Sequence, residues 1–326
     1  MTIMNTIGNW ATSNPLWFNL VIVVLSLFVI VKAADYLVSG VTHYSQKLGL
    51  SDYITGMVIV ALAASVPELV SSITGLFADE PGIIFGTIIG SNIAGMAIVL
   101  GILALIGRKI FLKSKVLAKT EMIIFFFSMV PFLLLADGKL SRLDGAVLLI
   151  LYFSFVWILW IKEGELGGLK RAVELKSLYK DGLLFILALA AILLSARWLV
   201  FSAIEVSKIL GLSPYYISLL VIGIGSSVPD LTVSVRALLQ GHKDVGVGDA
   251  LGSTLIKSLL FLGIIALIRP LAIDFNILLV AVVFSVIIRG IVFYFTEEGS
   301  MRWNHGLLLL LIYLIFVIIE SLKRGV

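Results

Sequence analysis

Between Leu16 and Val31 the chain carries no charged residue, and apolar runs of similar length recur along its whole extent. About 20 apolar residues are what a helix needs to cross the hydrocarbon core of a bilayer. There every backbone polar group must be paired within the protein, which leaves helices or closed barrels. Strict alternation of apolar and polar residues, the mark of a barrel strand, is missing from Leu16–Val31 and from Leu307–Ile319. The runs therefore read as helices. Taking the polar breaks as boundaries gives ten, near residues 16–40, 53–77, 82–107, 119–136, 143–161, 181–207, 214–239, 245–268, 271–295 and 304–322. Composition agrees: 60% of the 326 residues are hydrophobic and 13% charged, with a mean hydropathy of +1.13. An ordinary soluble domain has about 25% charged residues. The expected fold class is an all-α integral membrane protein of ten transmembrane helices, with the lipid bilayer as its first partner.

The first charged residue is Lys32, so the basic segment that opens a secretory signal is missing and the first span is expected to be retained. Cysteine does not occur, which excludes disulfides and thiolate metal sites. The net charge of +4 belongs to loops, where it governs topology; it is no nucleic-acid footprint. The chain has no Gly-x-x-x-x-Gly-Lys-Ser/Thr pattern, so ATP-driven pumping is unsupported. Neither an enzyme activity nor a cofactor is expected.

The longest polar break, Lys162–Asp181, divides the ten spans five and five. A shift of 162 residues superimposes the halves without a gap from Leu48 to Ile106. Leu48-Gly49-Leu50-Ser51 then falls on Leu210-Gly211-Leu212-Ser213, and Ser65-Val66-Pro67 on Ser227-Val228-Pro229. Gly90-Ser91 falls on Gly252-Ser253, and Gly101 on Gly263. Leucines match by chance in apolar helices; glycine, serine and proline in one register do not. Two repeats are expected, 1–161 with its motif at 48–106 and 181–326 with its motif at 210–268, joined by a cytoplasmic linker at 162–180. An odd number of spans per repeat inverts the second relative to the first. With both termini outside, the inner loops hold thirteen lysines and arginines against six on the outer side, as the positive-inside rule requires. Inverted repeats mark secondary transporters, whose sites lie near the midplane on interrupted helices. The linker has no room for a regulatory domain, which points to a prokaryotic plasma membrane.

Each half carries one carboxylate midway along a span, next to a proline: Glu68 and Asp230. A charged acid at the bilayer centre costs about 2.5–3.5 kcal/mol on insertion scales. A single such acid is readily explained as protonated, or as paired with a base such as Arg197 or Lys32. Two at symmetric positions argue for a use. Proline lacks an amide hydrogen and clashes with the carbonyl four residues back, so Pro67 frees the Ala63 carbonyl and Pro229 that of Gly225. Ser65 and Ser227 add hydroxyls just before the acids, and Ser91 and Ser253 add more on the following helices, where Gly90 and Gly252 permit close approach. This all-oxygen donor set suits Ca2+. The histidines, His43, His242 and His305, fall in loops or at span ends, so zinc and copper are disfavoured.

The segment Gly56 to Glu68, reading Gly-x-x-x-x-Ala-Leu-x-x-Ser-x-Pro-Glu, followed by Gly90-Ser91-Asn92, resembles the first alpha repeat of sodium/calcium exchangers, members of the calcium/cation antiporter superfamily. Gly225-Ser226-Ser227-Val228-Pro229-Asp230 with Gly252-Ser253 resembles the second repeat, and its Pro-Asp form is similar to potassium-dependent members. The resemblance covers the whole ten-span plan. It implies four sites in a central diamond made by the second, third, seventh and eighth helices, with Glu68 and Asp230 as the principal Ca2+ and Na+ ligands. It also implies flanking Na+ sites at Ser65, Ser227, Ser91 and Ser253, and carbonyl ligands near Ala61, Ala64, Gly223 and Ser226. The first and sixth helices would slide across this core to alternate access.

Two departures stand out. Four residues after the Gly-Ser serine, where the family usually has asparagine or aspartate, this chain has Gly95 and Lys257. A threonine usual beside the first motif serine is replaced by Ala64. The Lys257 ammonium could sit between Glu68 and Asp230 in place of a bound cation, or turn toward Asp249 two helical turns earlier. Asp35 and Arg197 are equivalent under the same shift and could pair with one another or face aqueous vestibules. Glu205, Arg236 and Asp244 read as interfacial, and Lys32 as snorkelling. The leading functional reading is antiport of Ca2+ against Na+. The alternatives are a cation exchanger linked to H+ or K+ with stoichiometry altered by Lys257, an ion channel, and a transport-inactive homologue.

Overall fold

A computed structural model of the chain describes residues 14–47, 52–111, 115–164, 178–239 and 241–324. It is nearly all helix. The ten elements are α1 (Pro15–Lys47), α2 (Gly56–Ala64 and Val66–Phe77), α3 (Pro81–Gly107), α4 (Lys115–Leu134), α5 (Arg142–Gly164), α6 (Leu178–Leu210), α7 (Pro214–Leu239), α8 (Lys243–Ile268), α9 (Phe275–Glu297) and α10 (Trp303–Arg324). Nine of them are long and apolar enough to cross a membrane, and α2 makes the tenth when its two segments, bent by 47°, count as one span. Most of the expected linker, residues 165–177, lies outside the described residues, and α6 begins at Leu178, before the expected 181.

Proline and short polar side chains set the starts. Pro15, Pro81 and Pro214 open α1, α3 and α7, where the missing amide hydrogen would have no intrahelical partner anyway. Ser213 caps α7 by accepting from the Tyr216 amide, and Asp274 caps α9 by accepting from that of Asn276.

The centre is made by α3 and α8. Across their apolar 18-residue stretches 83% of α3 and 78% of α8 is buried, against 22% within Pro15–Ala33 of α1 and within α10, so α3 and α8 are surrounded while α1 and α10 face outward. Close approach across the halves fixes this core. A Cβ at Gly90 would overlap the Leu219 carbonyl of α7, and one at Gly252 would overlap the Met57 carbonyl of α2. Met57 and Leu219 are themselves 162 residues apart, as are the two glycines. Each half therefore packs its third helix on the other half's second, by the same backbone contact. The outer helices follow suit: α10 lies on the C-terminal part of α3 with Gly306 against Gly101, and α5 on that of α8 with Gly145 against Gly263. α4 packs on α9, and α1 runs along α6 through Val23, Ile30 and Ala33 against Ile192, Ala196 and Val200.

Two short ribbons tie the halves at the helix ends. β1 (Lys109–Phe111) pairs antiparallel with β4 (Ser300–Arg302), and β2 (Lys139–Leu140) with β3 (Leu271–Ala272). The same 162-residue shift carries β1 onto β3 and β2 onto β4, so the ribbons exchange under the repeat.

The glycine contacts yield a stability test. Gly90→Ala and Gly252→Ala should each cost roughly 1–3 kcal/mol through overpacking, visible as earlier loss of the monodisperse peak on heating in detergent. Gly290→Ala, where a Cβ meets nothing within 4 Å, should be neutral or slightly stabilising.

Candidate cation site

Both α2 and α7 break just before their acids. Ser65 ends the first segment of α2 at φ −86°, ψ 0°, and Ser227 does the same in α7 at φ −83°, ψ −5°. A proline follows two residues later in each case, and Glu68 and Asp230 occupy the first turn of the helix that restarts. The first four amides of a helix have no intrahelical acceptor, and the N-terminal dipole favours negative charge. The break thus gives each carboxylate a helix N-terminus inside the core, where both are fully buried. Four π-helical stretches surround the breaks: Thr55–Val60 and Gly95–Val99 in the first half, Ser218–Ile222 and Ile256–Phe261 in the second. They recur at equivalent positions, and such turns gather at functional sites.

The π-turn of α8 carries Lys257. Its ammonium is completely buried and stands 2.8 Å from Glu68 Oε1 and 3.1 Å from Asp230 Oδ2, to which it donates a hydrogen bond. Of the two orientations open from sequence, the structure takes the one between the acids. Asp249 instead accepts a hydrogen bond from the Ser234 hydroxyl at 3.1 Å. The counterpart of Lys257, Gly95, leaves open space, with nothing within 4 Å of where a Cβ would be.

Around the three charges lie oxygens with free capacity. Glu68 Oε2, Asp230 Oδ1, Asp249 Oδ1, Ser65 Oγ and Asn92 Oδ1 are buried with no hydrogen-bond partner among the described residues. Ser227 donates to the Gly223 carbonyl at 2.9 Å, Ser226 to the same carbonyl at 3.3 Å, and Ser91 and Ser253 to Ile88 and Ala250 on their own helices, both at 3.3 Å. The Ser91 carbonyl lies 3.3 Å from Ser227 Oγ, which joins α3 to the break in α7. Ala61 and Ala64 line the first segment of α2 and are buried; Gly223 and Ser226 hold the same places in α7. Ala64 puts a methyl where its counterpart Ser226 has a hydroxyl.

Asn92 and Ser258 were not singled out as site residues from sequence. Asn92 Nδ2 donates to Ser258 Oγ at 2.8 Å, locking α3 to α8 one residue beyond Lys257. Asn92 stands in the Gly-Ser-Asn motif, the one signal that could have found it. Arg289 was also missed; it is buried on α9, stacked 4.9 Å from the Phe132 ring centroid, and lines a small cavity with Glu121, Ser128 and Thr296. Arg197 is exposed on the wall of a cavity of about 400 Å³ between α6 and the second segment of α2, lined also by Val70, Thr74, Phe77 and Phe201. The side chain of Asp35, its suggested partner, lies outside the described residues. Glu205 forms an exposed ion pair with Lys208 at 2.7 Å, Arg236 is exposed, and Lys32 is exposed on α1.

Two opposed carboxylates thus stand on broken helices inside a ten-helix membrane bundle of repeated halves, with a cationic group held between them. The sodium/calcium exchanger protein family model matches residues 18–161 and 181–322, and the chain belongs to that family. The sodium/calcium exchanger MaX1 of Methanosarcina acetivorans is 29% identical, covering 92% of this chain and 98% of that one. The putative antiporter CaxA of Alkalimonas amylolytica is 29% identical over 78% of this chain and 82% of its own. A solved structure of the sodium-calcium exchanger NCX_Mj, soaked with 100 mM Na+ and 10 mM Sr2+, superimposes with a TM-score of 0.71 at 25% identity, covering 93% of this chain and 98% of that one.

Removing one member of a buried charge cluster strands the others, at a cost of about 3–5 kcal/mol. Lys257→Met should therefore lower the melting temperature in detergent free of metal ions. Added Ca2+ or Na+ should recover part of the loss, because an ion that binds only the folded state stabilises it.

Proposed function

We propose that the chain exchanges Ca2+ against Na+ by alternating access around the Glu68–Asp230 pair. The observation that carries this reading is that the pair already grips a cation, the Lys257 ammonium, between two carboxylates on helix N-termini. In this reading Glu68 and Asp230 are the principal ligands. Ser65, Ser227, Ser91 and Ser253 serve flanking Na+ sites, and the carbonyls of Ala61, Ala64, Gly223 and Ser226 complete the shells. Oxygen donors of this kind suit hard cations. Ca2+ and Na+ need the same carboxylates, so their binding is mutually exclusive and their fluxes are coupled. α1 and α6 slide on the core, and the cavity beside Arg197 is a route of access. The repeats are 1–161 and 181–326, with the 162–180 linker cytoplasmic and both termini outside.

A second reading, exchange linked to H+ or K+, is favoured by one observation: the ammonium occupies the ground that a transported cation needs. Proteoliposome fluxes with Na+, K+ and H+ gradients imposed one at a time separate the two. Uptake of 45Ca driven by a Na+ gradient, and unchanged when the pH gradient is collapsed, supports Na+ coupling. Calcium passing without any trans cation would instead indicate a channel.

Glu68→Gln should cut exchange by on the order of a hundredfold or more, the loss of roughly 3 kcal/mol of ligand interaction. The variant should still fold, because Asp230 continues to pair with Lys257. Sodium-dependent 45Ca flux persisting at the wild-type rate in this variant would remove Glu68 from the site.

A further inference from the structure

Among the described residues the central compartment holds four ionisable groups, Glu68, Asp230, Asp249 and Lys257, all within 1% of fully buried. Asp249 is close enough to interact electrostatically with Asp230, Lys257 and Glu68. It does not converge with the other two acids on one point, for no cluster of three such side chains occurs among the described residues. One of its oxygens accepts from Ser234, and the other, Oδ1, has no donor among the described residues. Thr87 stands at the equivalent place in the first half, as Gly95 does for Lys257. The second half thus carries one acid and one base that the first half lacks at the equivalent places, both on α8 and two turns apart. The remaining buried charges among the described residues lie elsewhere: Arg289 is in the α4–α9 cavity, and Glu320 pairs with Arg324 at 3.1 Å.

We infer that Lys257 is an internal cation with two seats, bridging Glu68 and Asp230 while the site is unloaded and moving to Asp249 when cargo arrives, and that it limits the exchange to one divalent ion for two monovalent ions, with no net charge moved. Buried charges must be paired to be stable. When Ca2+ takes the Glu68–Asp230 pair, the displaced ammonium needs an anion, and the open oxygen of Asp249 on the same helix supplies it. Three carboxylates and one ammonium sum to a charge of −2, which one Ca2+ or two Na+ neutralise. Without the ammonium the compartment would carry −3 and would take a third monovalent ion. The inference rests on the exchange reading above and adds the stoichiometry and the residues that set it.

The test is simultaneous measurement of Ca2+ uptake and transported charge in Na+-loaded proteoliposomes, with the membrane potential set by K+ and valinomycin. Wild type should take up Ca2+ without current, at a rate indifferent to the sign of the potential. Lys257→Gln should keep uptake but generate an outward current, and an inside-positive potential should speed it severalfold. Asp249→Asn combined with Lys257→Gln returns the compartment to −2 and should abolish the current again. A purely structural role for Lys257 would not reverse in that way. Current in wild type, or potential-independent uptake by Lys257→Gln, would overturn the inference while leaving exchange intact. If wild type shows no Na+-driven uptake, the exchange reading fails and equilibrium binding in detergent decides the rest. Na+ should displace 45Ca with a limiting slope of two in wild type and three in Lys257→Gln, which should also bind Ca2+ at least about tenfold more tightly. Equal slopes and equal affinities sink the two-seat lysine.

Discussion

Everything in this protein is arranged around two carboxylates that a membrane interior would otherwise reject. An ionised acid in a low-dielectric core is tolerated when it is paired and when nearby dipoles favour its charge. The interruptions at Ser65 and Ser227 meet the second condition by restarting a helix at each acid. Lys257 meets the first, at 2.8 and 3.1 Å from the two of them. Helix N-termini alone leave two like charges facing one another, and the ammonium between them offsets that repulsion.

Holding the acids opposite each other is the task of the glycines. Gly90 and Gly252 let α3 and α8 touch the carbonyls of Leu219 and Met57, so the broken helices of both halves are pressed onto one central pair. Any side chain at those points would separate the halves and with them the carboxylates. The hydrogen bond from Asn92 to Ser258 spans the same seam next to Lys257. Packing and site are therefore one construction, with little freedom to change one and keep the other. The outer helices carry less constraint. There Arg289 is held by stacking on Phe132, which supplies a partner for the planar guanidinium without a second charge.

Duplication makes the frame symmetric, and substitution makes the chemistry asymmetric. The helix breaks, π-turns, ribbons and the backbone contacts of Gly90 and Gly252 recur at the 162-residue offset. Gly95 against Lys257, Thr87 against Asp249 and Ala64 against Ser226 do not. A backbone contact survives exchange of side chains around it, whereas the charge of a compartment changes with each one.

Much of this was legible in the order of residues. Hydropathy decides the number of spans because lipid leaves backbone groups no alternative partner. Proline before an acid announces a broken helix, because an imino nitrogen cannot donate. The register of glycine, serine and proline exposes the duplication. The place of the Lys257 ammonium was not legible. Sequence left it the choice of Asp249, on its own helix, or Glu68 and Asp230, on two others, and only the meeting of α2, α7 and α8 decides between them. The open space at Gly95, the Asn92–Ser258 bond and the buried Arg289 likewise depend on which helix faces which. Local chemistry is written along one chain, but a charge balance belongs to groups that only folding brings together.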